Sequence, residues 1–146
     1  MIWKQNRNRS EKGMAILELA LVGPWFFFLF VGALDWGFLA NELISVESAA
    51  RTAALYTSAA TSTASDASQA CTLVLGELRK LPNIGNAVTA CTGIPVSVTA
   101  VSITGPDSAP ASLVTVVYKS IPMIPIPGIL PNQFTLTRAV KMRVRG

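Results

Sequence analysis

Between Leu19 and Leu34 the chain reads LALVGPWFFFLFVGAL, sixteen residues without a charge, and it stays apolar from Met14 to Ala40 if Glu18 and Asp35 are tolerated. A helix rising about 1.5 Å per residue covers a hydrocarbon core of roughly 30 Å over such a length. The stretch therefore reads as a transmembrane helix over about residues 17–40. Lys4, Arg7, Arg9 and Lys12 precede it, and the acids Glu42 and Glu47 follow it. Cations collect on the cytoplasmic side of a span, so the N-terminus is expected in the cytoplasm and the rest outside.

A secretory signal peptide also has a basic start and an apolar middle, but it fits less well. Its apolar region is shorter, and a carboxylate such as Glu18 does not normally open it. The apolar pattern also continues without a break: Leu39, Leu43, Val46, Ala50 and Ala53 recur at steps of four and three, which makes one helical stripe. Glu47 and Arg51 stand at i and i+4 on another face, the favourable order for a solvated pair. One long helix over residues 14–58 is the expectation.

An acid at the bilayer centre costs on the order of 3 kcal/mol even on a lenient insertion scale, so Glu18 and Asp35 need reasons. Asp35 is near the outer edge and is either snorkelling to the headgroups or a second pairing group, with snorkelling preferred. For Glu18 two readings stand: snorkelling at the cytoplasmic edge, or pairing with a new α-amino group made by cutting after Gly13. Pro24 cannot donate to the carbonyl of Ala20 and follows Gly23, so a bend or open turn is expected there. It is either a harmless kink or a joint that lets the helix leave the bilayer and repack, with Gly32 and Gly37 allowing close approach.

Composition excludes much. The chain has no His, which removes His-based catalysis and His-ligated metal. Two cysteines do not make a four-ligand zinc site, and neither a phosphate-binding G-x-x-x-x-G-K-[ST] loop nor a G-x-S-x-G elbow occurs. No metal, no cofactor and no catalytic activity are expected. The net charge of +4 lies at the ends, with Arg138, Lys141, Arg143 and Arg145 at the C-terminus, so no nucleic-acid face is indicated. Removing residues 1–13 leaves 8 basic against 7 acidic residues.

The string Gly13-Met14-Ala15-Ile16-Leu17-Glu18, behind a short basic leader, resembles the cleavage site of class III signal peptides in type IV pilins and pseudopilins. Three further runs sharpen it: Glu18 to Pro24, Gly32-Ala33-Leu34-Asp35-Trp36-Gly37, and Ala49-Ala50-Arg51. Together they resemble the N-terminal pattern of TadE-like proteins, minor pseudopilins of tight-adherence (Flp-type) pilus systems. Thr115-Val116-Val117-Tyr118, then Pro127 to Leu130, then Thr135 to Met142 resemble the end of that family. The resemblance implies a leader over 1–13, a prepilin peptidase that cuts between Gly13 and Met14, and Glu18 as the acid that meets the Met14 amine. Two buried opposite charges on neighbouring subunits are costly apart, so pairing them would set a one-subunit stagger. Other pilin subunits and an inner-membrane assembly platform are the implied partners. The major pilins of such systems are far shorter, so the resemblance implies a minor component.

Residues 59–146 are expected to form an α+β domain outside the membrane. TSAATSTASDASQA, after Tyr56, reads as the frayed end of the long helix and a linker. Asp66 with Gln69 caps a short second helix whose stripe is Cys71, Val74, Leu75 and Leu78, ending at Leu81-Pro82. From Pro95 on the period becomes two, over residues 96–104, 112–121 and 133–144, which predicts a small antiparallel sheet of three to four strands. Gly105 to Ala111 joins the first two strands as a turn. The run IPMIPIPGILPN before the third is too proline-rich for a strand and is either a lid on the small core or an apolar docking patch. Cys71 and Cys91 are either buried thiols or a disulfide. An oxidising compartment favours the disulfide, worth on the order of 3 kcal/mol for a loop of about 20 residues.

Three function classes are in play. The first is a pilin-like structural subunit, held in the inner membrane and then moved to a pilus. A second is a permanently anchored single-pass protein with a periplasmic binding domain, which predicts no cut at Gly13. A secreted hydrolase is the third, and it lacks a credible nucleophile and base.

Overall fold

A computed structural model describes residues 7–121 and 133–145, with side chains from residue 13 onward, so most of the expected lid or docking patch falls outside the described residues. The elements are α1 (Arg7–Thr57), α2 (Ala67–Leu78), β1 (Val96–Thr104), β2 (Pro110–Lys119) and β3 (Thr135–Arg143). The architecture is α+β, as expected: a long apolar N-terminal helix, a short second helix and, among the described residues, a three-stranded antiparallel sheet. Two compact units divide the chain between Gly37 and Phe38.

In the first unit α1 is helical throughout, and the helix passes Pro24 without interruption. Leu17, Leu19, Leu21, Trp25, Phe26, Phe27 and Phe28 are all exposed. Side chains apolar all round a helix have no solvated face to offer water, which is the pattern of a lipid-facing segment. Gly13–Thr57 is long and apolar enough to cross a membrane, and its most apolar part is almost wholly exposed, unlike the core helix of a soluble protein.

The second unit begins with the last five turns of α1. Val46, Ala49, Ala50, Ala53 and Ala54 are fully buried and join one core with Val74 and Leu78 of α2 and Val96, Val114, Val116 and Tyr118 of the sheet. Small residues on the helix let its backbone come close, while β-branched residues fill the pleated face. Three hydrogen-bonded strands run in the order β1-β2-β3, with Val98 opposite Val116 and Val114 opposite Val140. One face alternates into the core and the other stays half-exposed, the period-two pattern seen in the sequence.

α2 starts where the capping residues place it. The Asp66 carboxylate accepts from the Gln69 N–H at 3.0 Å, satisfying one of the donors a helix start leaves unpaired. Between β1 and β2, Gly105 donates to the Ala109 carbonyl at 2.7 Å, and a side chain at residue 105 would meet the Asp107 carboxylate at 2.6 Å. The Asp107 carboxylate is the end of an exposed side chain that can swing aside, and the nearest backbone atom, the Ala109 carbonyl oxygen, stands at 3.1 Å, so the turn is tight at Gly105, while Ser108 takes the left-handed conformation at φ 61°. The Ile94–Pro95 peptide is cis.

The expected frayed linker after Tyr56 is not frayed. Thr57, Ser58 and Ala64 are buried, and residues 58–66 fold back in hydrogen-bonded turns. The Thr63 hydroxyl donates to the Ala60 carbonyl at 2.9 Å and accepts from the Ala60 N–H at 3.2 Å. Ser112 of β2 donates to the Ala64 carbonyl at 2.9 Å, and the Arg145 N–H donates to the Ser58 carbonyl at 2.9 Å. Short hydroxyl side chains satisfy the carbonyls left open where α1 ends, so a tract without apolar period is ordered by polar contacts to β2 and the C-terminus.

Candidate functional site

The residues singled out by the sequence fall in different places. Gly13, Met14, Glu18 and Pro24 share the first unit. Gly13, Met14 and Glu18 lie on exposed helix within about a turn and a half, so the Gly13–Met14 bond and the Glu18 carboxylate are both on the surface. A helix places residues four apart on one face, which puts Met14 and Glu18 in line.

Cys71 and Cys91 are in the second unit and form a disulfide. Their Cα atoms are 5.7 Å apart, and Cys91 is buried while Cys71 is half-buried at the edge of the α2 stripe. The bond ties α2 to the segment that leads into β1, across the side of the core where helix meets strand.

One polar cluster was not singled out from the sequence. Glu42 of α1 is 1% exposed, and its Oε1 accepts from the Tyr118 hydroxyl at 3.0 Å. Tyr118, itself fully buried on β2, also hydrogen-bonds Oδ1 of Asn83 in the turns after α2, and the Asn83 amide donates to the Lys119 carbonyl at 2.7 Å. The cluster joins α1, the α2–β1 connection and β2 at one point. Burial, then the Glu42 carboxylate and its hydrogen bond, push the Tyr118 hydroxyl far above its ordinary pKa of 10.0. The only sequence signal was a carboxylate, Glu42, placed among residues of an apolar stripe.

Tyr118→Phe keeps the ring and removes the donor. It removes the one buried proton that the hydroxyl can donate into the Glu42 and Asn83 cluster, which costs about 1–3 kcal/mol. Thermal or urea unfolding of the domain is expected to show that loss near pH 7. Because Tyr118 titrates higher folded than unfolded, its contribution is present below the unfolded pKa and is lost as pH rises past about 10. The wild-type domain should therefore weaken above that pH, and the Phe variant should weaken less.

Among the described residues no group of three or more Cys, Asp or Glu is arranged to hold a metal. The Glu47–Arg51 pair forms as expected on the exposed side of α1.

The comparison with curated proteins returned no match, and neither did the comparison with solved structures. A family model described as TadE-like protein matches residues 13–55. The match covers the apolar segment and nearly all of the helix beyond it, and it stops before α2 and the sheet. The family is a structural, pilus-related one. Together with a helix able to cross a membrane, this fits a pilus-associated membrane protein, and over residues 13–55 the chain is similar to TadE-like proteins.

Proposed function

We propose that the chain is a minor pilin or pseudopilin, a non-enzymatic structural subunit of a tight-adherence, type IV-like pilus. The observation that carries the reading is the TadE-like match beginning at Gly13, the residue before the proposed cut. In this reading residues 1–13 are a cytoplasmic leader, α1 holds the subunit in the inner membrane, and the disulfide-bonded domain folds in the periplasm. A prepilin peptidase cuts between Gly13 and Met14. The freed amine meets the carboxylate of Glu18 as the helix passes from lipid into the filament, among other pilin subunits on the assembly platform. Pro24 supplies the joint at which the helix gives. The domain then stands at the pilus or cell surface, and its size beside that of a bare helix suits a subunit that primes the filament or joins it in few copies.

The test is the intact mass and N-terminal sequence of the protein taken from membranes of a cell with its native secretion machinery. A start at Met14, with or without an added methyl group, is expected, and Gly13→Asp should leave the leader attached. A chain that still begins at Met1 sinks the pilin reading and supports a permanent anchor with a periplasmic binding domain. A start beyond Ala40 supports a secreted protein.

A further inference from the structure

Four cations gather near the C-terminus, and none of them is among the residues of the core. The fold places three of them on β3, an edge strand among the described residues. In an antiparallel ladder each residue sends its N–H and C=O to the same side, and successive residues alternate sides. Ser120 donates to the Phe134 carbonyl at 2.8 Å and Val144 to the Pro110 carbonyl at 2.9 Å, so the even-numbered residues of this stretch face β2. Thr135, Thr137, Ala139, Lys141 and Arg143 therefore direct their backbone groups to the open edge. Their side chains are exposed on the face away from the core.

The edge is guarded lightly. The Arg138 guanidinium donates back to the Thr137 carbonyl at 3.1 Å, a contact within the strand itself. Arg143 reaches Asp107 of the β1–β2 turn at 3.3 Å, with both side chains largely exposed. An exposed pair of this kind contributes little, so replacing Asp107 by another carboxylate costs little. The opposite edge, β1, carries no charge, and its start is already covered by the Thr92–Ser97 bridge.

We infer that β3 is a docking edge for an extended acidic segment of another protein, which adds as a fourth strand with carboxylates at alternate positions opposite Lys141 and Arg143. Backbone pairing would supply affinity, and the two cations on one face would set register. Like charges keep two β3 edges apart, so the same residues select against a second copy of this chain. Because Arg145 hydrogen-bonds Ser58, where α1 ends, this end of β3 lies at the end of the domain opposite Phe38. The inference stands whether or not the chain enters a filament.

The test uses the full isotope-labelled chain in detergent micelles and two peptides of one composition. The first is Thr-Asp-Val-Asp-Val-Thr-Val-Thr, whose acids share a strand face. The second is Thr-Asp-Asp-Val-Val-Thr-Val-Thr, whose adjacent acids fall on opposite faces in any register. The first is expected to bind at least about tenfold tighter, to weaken with added salt, and to shift and protect the amides of Thr137, Ala139, Lys141 and Arg143. K141E/R143E should abolish that binding, and the milder K141Q/R143Q, which keeps both positions polar and exposed, should weaken it. Equal affinity of the two peptides, shifts confined to other strands, or tighter binding of a single-stranded oligonucleotide than of the first peptide would each overturn the proposal.

Discussion

Replacing Cys71 and Cys91 together by serine is expected to lower the stability of the domain by about 3 kcal/mol, a large share of what a core of this size supplies. The bond closes a loop of sequence separation 20, and its loss returns that loop's freedom to the unfolded chain. A hydroxyl in the buried place of Cys91 adds a desolvation cost. The three tryptophans all precede Phe38, so their fluorescence does not report on the domain. Urea unfolding followed by amide exchange or limited proteolysis of the sheet does. Wild-type protein under reductant should also unfold at a lowered midpoint, somewhat above that of the double variant because its buried thiol carries no hydroxyl to desolvate, while helicity of the apolar segment is retained. An unchanged midpoint would show that helix and sheet packing alone hold α2 against β1.

Glu18→Leu is expected to leave membrane insertion intact and to remove the subunit from filaments. Taking a carboxylate out of an apolar helix favours residence in lipid, by up to about 3 kcal/mol on the lenient insertion scale if the position is deep. Assembly, on the pilin reading, needs that same carboxylate as the partner of the Met14 amine, so the change stabilises the stored form and deprives the assembled one. The measurement is the fraction of the protein in sheared filaments against membranes, with N-terminal sequencing to confirm that the leader is still cut. Glu18→Asp keeps the charge on a shorter arm and should restore part of the filament fraction. Normal assembly of the Leu variant would reduce Glu18 to a snorkelling side chain.

The parts of the fold that depend on local pattern were legible. An apolar stretch from Met14 to Ala40, long enough to cover a bilayer core if Glu18 and Asp35 are tolerated, favours a helix, and Leu39 to Ala53 at helical spacing extends it. Asp66 and Gln69 mark the start of α2, and alternation from Val96 to Thr104 marks β1. The cysteine pairing was legible because there are two cysteines, and the argument from compartment favoured joining them. Less legible was the Ser/Thr tract after Tyr56, since its order comes from Ser112 and Arg145, far along the chain.

By itself the sequence determined a helix able to cross a membrane, the class α+β and a small antiparallel sheet, because each follows from side-chain period and charge within a few residues of chain. Only the tertiary structure decided that Glu42 is buried against Tyr118, which also meets Asn83. The same holds for Lys141 and Arg143, which share the exposed face of an edge strand among the described residues. Burial of a carboxylate and exposure of an edge both depend on which distant element arrives beside them, and neither leaves a periodic mark in the chain.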